Sequence, residues 1–376
     1  MNINSKLWVK IIVNLIFAIV ICVCSFNYIV DPYGIYNMNF FESKPKQASQ
    51  MRLVKLLEIR KQKPISIVIG TSRADMSIDP EHEYFIKPSY NFSNAGLSIY
   101  EAKYYVEEAI KIGVKNILFV ADWRMFNDVM KKIPDFESYF DGYNKYKFLL
   151  NYKTLEDSFY TIMNQNIKNM YFKNGLLNDS HMSSYVDSQG GHLSLMKNEE
   201  RVYYKIISSN HNLYKNTNIN SFSDFNEILD ECYKNNINLD IVFGPSHIRQ
   251  WEAFAYYKNY ETLLQWKKDI ILNVESIANK HHKKPFRVMD FSVYHKLTAE
   301  EVPTDSKVKM QYHWEGSHYK KNLGNIVLDR LIDKSNYKDF GVIITSSNID
   351  THIEKLRDDR IKFINIKKYI KEVFDE

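Results

Sequence analysis

Residues 64–74 read PISIVIGTSRA, and this stretch decides the fold class. Its apolar, β-branched part predicts a short buried strand, because strands covered on both faces are near-continuous apolar runs. Gly70 ends the run, and the polar residues Thr71, Ser72 and Arg73 follow at once. A buried strand that runs directly into a polar loop is typical of α/β proteins, in which loops at strand ends carry the site.

The same alternation continues along the chain and fixes the sheet type. Further strands are predicted at 114–122, 237–245 and 285–292, and 89–98 is predicted to be a strand that runs into a glycine-bearing loop. Helical patterns are predicted at 47–62, 100–112, 223–236, 252–280 and 317–333. Strands separated by helices predict a parallel sheet with helices on its faces. The expected fold class is therefore α/β, with a stretch at 340–364 that predicts an edge strand and an ancillary helix.

The boundaries of the predicted domains follow from where this alternation starts and stops. The main α/β domain is expected at 64–335, preceded by a linker and leading helix at 32–63. Residues 125–220 lose the alternation and are rich in Tyr, Asn and Phe, which predicts a helical insertion or cap. Residues 336–376 form a C-terminal ancillary segment.

The N-terminus carries the longest apolar run, LWVKIIVNLIFAIVICVCSFNYIV at 7–30. Its 24 residues are long enough to span a bilayer, so residues 1–31 are predicted to be a transmembrane anchor. A cleaved signal peptide and a buried core helix are the alternatives. Lys6 and Lys10 lie at the N-terminal end of the run and Asp31 follows it, which places the N-terminus in the cytoplasm and the later residues outside. The expected location is a bacterial inner membrane, crossed once, with the C-terminal domain extracytoplasmic.

Charge and cysteine content exclude several functional classes. The chain has 50 Lys and Arg against 45 Asp and Glu, and its net charge of +5 comes without a long basic run. Nucleic-acid binding is therefore not expected. Cys22 and Cys24 lie in the apolar run and Cys232 is alone, so no disulfide framework and no cysteine metal site is predicted. No cofactor and no metal are expected.

Polar loops are expected to converge where the strands end, because ligands bind at the carboxyl ends of strands in open parallel sheets. These loops are 71–73, 93–96, 122–124, 244–247 and the stretch HWEGSHYKKNLG at 313–324. Ser72, two residues past the first strand, is a candidate nucleophile that needs a base to remove its proton. The alternative is an ordinary serine that caps the next helix.

The stretch at 313–324 supplies a candidate base and acid. Glu315 and His318 lie three residues apart at the predicted start of the last helix, where a carboxylate can orient an imidazole on one side of a turn. In a serine–histidine–acid relay the acid fixes the tautomer and stabilises the imidazolium. The alternative is a polar helix start, with Glu315 at the positive end of the helix dipole and His318 on the surface.

The two motifs together resemble the SGNH/GDSL-type hydrolases. Gly70-Thr71-Ser72-Arg73 looks like the nucleophile block of that family, and Glu315-Gly316-Ser317-His318 looks like its C-terminal Asp-x-x-His block. The resemblance covers about residues 64–335, except for the insertion, and implies a flavodoxin-like three-layer fold. It also implies a catalytic triad of Ser72, His318 and Glu315, with an oxyanion hole made by Ser72, Gly96 and Asn94.

The sequence departs from that pattern at two points. Glu315 stands where the family usually has Asp, and a longer side chain needs a different backbone offset. The family's third block, Gly-x-Asn-Asp, is absent after the third strand, where the chain reads VADWRMFND. Asn94 or Asn127 would have to replace the missing asparagine. Loss of one oxyanion donor typically costs roughly 10²–10³ in turnover.

Four other residues at strand ends are predicted to bind substrate. Arg73 is expected to hold an anionic group, with a surface arginine as the alternative. Asp122 and Trp123 follow the third strand and His247 follows the fourth, and each is expected to line the pocket. For Asp122 the alternative is a cap of the next helix.

Membrane-anchored relatives of this family acetylate or deacetylate cell-surface polysaccharides, often beside a multi-spanning acyl-donor membrane protein. The resemblance therefore implies an O-acyltransferase or esterase that acts on a polysaccharide or a small acyl ester. A plain carboxylesterase or lipase is one alternative. A catalytically weak envelope scaffold is another, favoured by the missing Gly-x-Asn-Asp.

Overall fold

The computed structural model describes residues 5–127, 136–142, 144–206, 212–214 and 218–374. The helices in chain order are α1 Ser5–Val30, α2 Met51–Gln62, α3 Ser72–Ser77, α4 Ile99–Lys111, α5 Tyr152–Met163, α6 Asp179–Ser188, α7 His192–Asn198, α8 Tyr204–Ile206, α9 Phe222–Lys234, α10 Ile248–Tyr256, α11 Tyr260–Lys280, α12 Lys321–Leu331, α13 Ile349–Phe363 and α14 Ile366–Val373. A π-helix at Glu199–Tyr203 joins α7 to α8.

The sheet has six strands, which are β1 Ser66–Gly70, β2 Ser89–Asn91, β3 Asn116–Ala121, β4 Asn238–Phe243, β5 Arg287–Asp290 and β6 Val342–Ile343. Their order is β2-β1-β3-β4-β5-β6. The first five strands pair in parallel, and the two-residue β6 pairs with β5 in antiparallel fashion at the edge. The predicted α/β class, with a mostly parallel sheet, is therefore confirmed.

The carboxyl ends of the central strands lie level with one another. Gly70 of β1 is in register with Val120 of β3, and Phe243 of β4 is in register with Asp290 of β5. Every residue of β1 is buried, as its apolar run predicts. The loops that follow these strands therefore start from one edge of the sheet.

The chain divides into two compact units, which differ from the predicted boundaries. One unit combines Met1–Glu58 with Glu137–Tyr171, and the other combines Ile59–Phe136 with Phe172–Glu376. Part of the predicted insertion at 125–220 thus belongs with the N-terminal segments. These segments were predicted to be an anchor at 1–31 and a linker with a leading helix at 32–63. Residues 128–135, 143, 207–211 and 215–217 of that insertion lie outside the described residues.

The N-terminal unit has its own apolar cluster, formed by Tyr33, Ile35, Met51, Leu53, Val54 and Phe148. Its first helix, α1, is long and apolar enough to cross a membrane, and its most apolar 18-residue window has no buried residue. This exposure does not fit the core-helix alternative. The end of α1 is tied to protein, because Asn27 donates to the carbonyl of Leu149 and accepts from the hydroxyl of Ser158.

Three predicted elements differ from the structure. The loop expected after β1 contains the short helix α3, because the Thr71 side chain caps it by accepting the N–H of Arg73. The long helix expected at 252–280 is two helices, α10 and α11, because Lys258 between them has a positive φ of 62°. The last helix, expected at 317–333, starts only at Lys321.

A buried charge cluster joins the sheet to two helices of the larger unit. Lys267 of α11 and Asp290 at the end of β5 form an ion pair of 2.6 Å, and His352 of α13 contacts the same carboxylate at 2.8 Å. Burial opposes the ionised form of Asp290, but the Lys267 charge and the His352 hydrogen bond hold its pKa below the usual value. These two contacts with Asp290 hold α11 and α13 against the end of β5.

The contact between α3 and α12 depends on Gly324. A Cβ atom added there would lie 1.9 Å from the carbonyl oxygen of Ser77. Glycine to alanine normally stabilises a helix interior by about 1 kcal/mol. Here we expect Gly324→Ala to destabilise the protein by about 1–3 kcal/mol, because overpacking forces the two helices apart.

Urea unfolding of the full-length protein in detergent measures this effect. Asn322→Ala is the matched control, because the Asn322 side chain on the same helix is exposed and its substitution costs a solvent-exposed hydrogen bond to the Gln311 carbonyl without adding atoms near α3. A Gly324→Ala variant as stable as the control would contradict the close approach of α12 to α3.

Candidate active site

The strand–turn–helix at 66–77 places the Ser72 hydroxyl. β1 ends at Gly70, Thr71 caps α3, and Ser72 is the first residue of that helix. A side chain on Gly70 would have its Cβ 2.7 Å from the Cβ of Ala74, so only glycine allows this tight turn. The Ser72 Oγ lies 2.7 Å from the Nε2 of His318. The structure therefore brings together two groups that are 246 residues apart in sequence.

A closed loop, not a helix start, presents Glu315 and His318. His313 and Tyr319 form an antiparallel bridge, and the N–H of Trp314 donates to the His318 carbonyl at 2.8 Å. The predicted i, i+3 relation therefore holds in a tight loop that precedes α12. We call residues 313–319 the triad loop.

The Glu315 carboxylate folds back onto this loop and orients the imidazole. Its Oε2 accepts the N–H of Ser317 at 2.7 Å, and its Oε1 accepts the N–H of His318 at 2.7 Å. The same Oε1 is hydrogen-bonded to the Nδ1 of His318. With Nδ1 donating to a carboxylate, the Nε2 is left as the acceptor that faces Ser72.

The Glu315 carboxyl group is fully buried. Burial alone would favour its neutral form. The adjacent His318, a hydrogen bond from Glu199 and the N–H of Ser317 outweigh this and hold the pKa of Glu315 below its usual value. A permanently charged acid is what a serine–histidine–acid relay requires, because the acid stabilises the imidazolium.

The N–H of Ser72 is a candidate oxyanion donor. It lies in the first turn of α3, where backbone N–H groups have no partner within the helix. It donates to no acceptor among the described residues. Gly96, the second predicted donor, sits in a turn with a positive φ of 62°.

Asn94 is placed beside the end of β1, but its side chain has another contact. Its backbone N–H donates to the Gly70 carbonyl at 3.1 Å. Its side-chain amide donates to the Phe92 carbonyl at 3.2 Å, and its Oδ1 accepts no hydrogen bond within the described part of the chain. One N–H of the amide is thus used to hold the loop.

The Arg73 guanidinium contacts the loop that follows β4. Its Nη2 donates to the carbonyls of Gly244 and Pro245 at 2.6 and 3.0 Å and to the Ser246 hydroxyl at 2.7 Å. These contacts use Nη2 alone, and the expected hold on an anionic substrate stays a prediction. The guanidinium joins the loop after β1 to the loop after β4.

Asp122 and Trp123 border a small cavity of about 30 Å³, together with Arg73, Arg124, Trp266 and Ser317. Asp122 also accepts from the Thr71 hydroxyl at 3.0 Å and caps the turn that follows β3. Pockets that enclose a small molecule usually measure roughly 300–1,000 Å³. A substrate therefore has to reach Ser72 and His318 from solvent, where the His318 side chain is 18% exposed.

His247 does not have the pocket-lining position that was expected. It is buried, its Nδ1 accepts the N–H of Arg249 at 3.3 Å, and its Nε2 donates to the Glu300 carbonyl at 2.7 Å. Burial lowers the pKa of His247 to about 3, so the ring is neutral. Both nitrogens are used by the backbone, which makes this histidine a structural helix cap.

Sequence reasoning missed three residues that support the triad loop. The Glu300 carboxylate accepts the N–H of Tyr312 at 2.9 Å and contacts the Nδ1 of His313 at 3.1 Å. The Nδ1 of His192 donates to the Trp314 carbonyl at 2.8 Å. Glu199 hydrogen-bonds Glu315 itself. None of the three lies in a recognisable motif, and two of them come from the predicted insertion.

Within the described residues, no group of three or more His, Cys, Asp or Glu side chains could hold a metal ion. Comparisons with protein-family models, with curated proteins and with solved structures find no match for this chain. The functional interpretation therefore depends on the geometry of Ser72, His318 and Glu315.

Proposed function

We propose that this chain is an SGNH-like serine esterase or O-acyltransferase. The observation that carries the proposal is the continuous hydrogen-bonded chain from Ser72 through His318 to Glu315. The strand order 2-1-3-4-5 supports a flavodoxin-like fold, since that order is one of the two common doubly wound arrangements. The order of the three residues along the chain also agrees with the family resemblance.

The first half-reaction follows from the hydrogen-bond directions. The Nε2 of His318 takes the Ser72 proton as the Oγ attacks an ester carbonyl carbon. The carbonyl oxygen becomes an oxyanion, which the N–H of Ser72 stabilises together with a second donor, for which Gly96 is the candidate. The imidazolium then protonates the leaving alkoxide, and an acyl-serine remains.

The second half-reaction decides between hydrolysis and transfer. His318 removes a proton from water or from a sugar hydroxyl, and the resulting oxygen attacks the acyl-serine. Water gives a free carboxylic acid, whereas a sugar hydroxyl gives a new ester. Approach from solvent at the exposed side of His318 suits a large acceptor such as a polysaccharide, because the adjoining cavity is too small for one.

The proposed location is a bacterial inner membrane, with α1 as a single anchor and the larger unit outside. Lys6 and Lys10 near the start of α1, and Asp31 directly after its end, support this orientation. A multi-spanning membrane protein that donates acyl groups is the proposed partner. Acyl esters of cell-envelope polysaccharide, or small acyl esters, are the proposed substrates.

A charged fluorophosphonate that cannot cross membranes tests the nucleophile and the location together. Wild-type protein in intact cells is expected to be labelled, and Ser72→Ala protein is expected to remain unlabelled. Labelling only after lysis would contradict the outside location. No labelling of folded, purified protein would contradict the serine chemistry and favour the scaffold alternative. A second assay then distinguishes an esterase from an O-acyltransferase. An esterase releases acetate from an acetylated glycan, whereas an O-acyltransferase transfers the acetyl group to an unacetylated glycan.

A further inference from the structure

A second carboxyl group lies against the triad acid. Glu199 forms a side-chain hydrogen bond with Glu315, so one of the two must carry a proton. Glu315 already accepts two backbone N–H groups and the His318 Nδ1. These donors stabilise an anion at Glu315. The shared proton therefore belongs to Glu199.

The charged surroundings of Glu199 agree with this assignment. The carboxylates of Glu315 and Glu200 disfavour a second negative charge there, and the opposite effect of the Arg124 charge is smaller. Burial, with the charge and hydrogen bond of Glu315, raises the pKa of Glu199 well above its usual value. Glu199 is therefore a neutral hydrogen-bond donor at physiological pH.

The segment that carries Glu199 is held by contacts on both sides of this residue. Glu199 begins the π-helix at Glu199–Tyr203, an irregularity often found at functional sites. The next residue, Glu200, forms two hydrogen bonds of 2.8 Å with the guanidinium of Arg249. On the other side, a Cβ atom on Gly316 would lie 3.2 Å from the Tyr204 hydroxyl.

We propose that Glu199 is a positioning residue that donates a hydrogen bond to Glu315 and so fixes the triad acid. An ionised carboxylate has about four acceptor sites. Two backbone N–H groups, the imidazole N–H and the Glu199 O–H would fill all four. With every site filled, the Glu315 carboxylate has no freedom to rotate away from His318. This role rests on the proposed esterase function.

Two substitutions test the role kinetically. Glu199→Leu removes the donor, and we expect kcat to fall by about 10–10², with KM little changed, because small misplacements of catalytic groups cost that much. Glu199→Gln keeps a neutral N–H donor, and we expect its kcat within about threefold of wild type. Asn198→Ala, at an exposed neighbouring position, is the control. Unchanged kcat in Glu199→Leu, or equal losses in both variants, would overturn the proposal.

A stability measurement tests the shared proton without any turnover. A carboxyl whose pKa is raised in the folded state makes wild-type stability fall as pH rises above about 4.5, because the unfolded chain ionises there. The Glu199→Gln variant has no carboxyl group at this position, so it does not lose stability in this way as pH rises. Its melting temperature relative to wild type is expected to increase by roughly 2 °C or more between pH 4 and pH 8.

The same difference at both pH values would show that Glu199 is ionised, and would refute the neutral donor. This melting experiment on the full-length protein in detergent does not involve Ser72. If the pH-dependent shift appears and no esterase activity is found, the result supports the shared proton between Glu199 and Glu315 and contradicts the proposed function.

Discussion

Turnover of an acyl ester is expected to fall by about 10⁴-fold or more when Ser72 is replaced by alanine. The hydroxyl at this position is the proposed nucleophile, and its Oγ lies 2.7 Å from the Nε2 of His318, which is the proposed base. Without it no acyl-serine can form, and the residual rate comes from oxyanion stabilisation and binding alone. Initial rates with an aryl acetate, measured on purified full-length protein in detergent, give the ratio.

The thermal stability of the same variant separates a lost nucleophile from a lost fold. Ser72 is the first residue of α3 and does not cap it, so Ser72→Ala is expected to melt within about 2 °C of wild type. Ser184→Ala, an exposed serine on α6, is the matched control and should keep full activity. Wild-type rates in folded Ser72→Ala would end the serine-esterase proposal.

The second large effect is expected at the acid. Glu315→Gln should lower kcat by about 10²–10⁴, because an amide cannot stabilise the imidazolium and can impose the wrong imidazole tautomer. The side chain is buried and held by the N–H groups of Ser317 and His318. The protein is therefore expected to keep its fold while the relay is interrupted.

Glu315→Asp and Glu301→Gln complete this test. The shorter aspartate cannot reach the N–H groups and the imidazole as glutamate does, so we expect an intermediate loss of about 10-fold. Glu301 is exposed, and its glutamine variant should be as active as wild type. An undiminished rate in Glu315→Gln would mean that His318 is oriented by another group.

The sheet was predictable because its strands are buried on both faces. The strands β1, β3 and β4 each read as an apolar run that stops at a polar loop, and periodicity needs no tertiary information to show this. The edge strand β6 is only two residues long, and the sequence indicated it less clearly. The break between α10 and α11 was missed because Lys258 gives no signal for its left-handed backbone.

Sequence also indicated which residues meet in the triad, but not how they are supported. Ser72, Glu315 and His318 stand in short motifs, whereas Glu199 and His192 come from a segment without motifs and reach the triad loop only through tertiary packing. Arg73 and His247 were interpreted from their position after strands. Their position in the sequence does not show that both side chains form hydrogen bonds with the backbone. Arg73 donates to the Gly244 carbonyl, and His247 accepts the N–H of Arg249.

Ser72 and His318 are 246 residues apart in sequence, so the ribosome adds the proposed nucleophile well before the proposed base. Ribosomes add roughly 5–20 residues per second, so about 12–50 s pass between the addition of the nucleophile and of its base. Throughout that interval the nascent chain carries an unactivated hydroxyl. Under the proposed function, a product terminated before His318 would be equally inert, and only chains that extend past this residue could carry out acyl transfer.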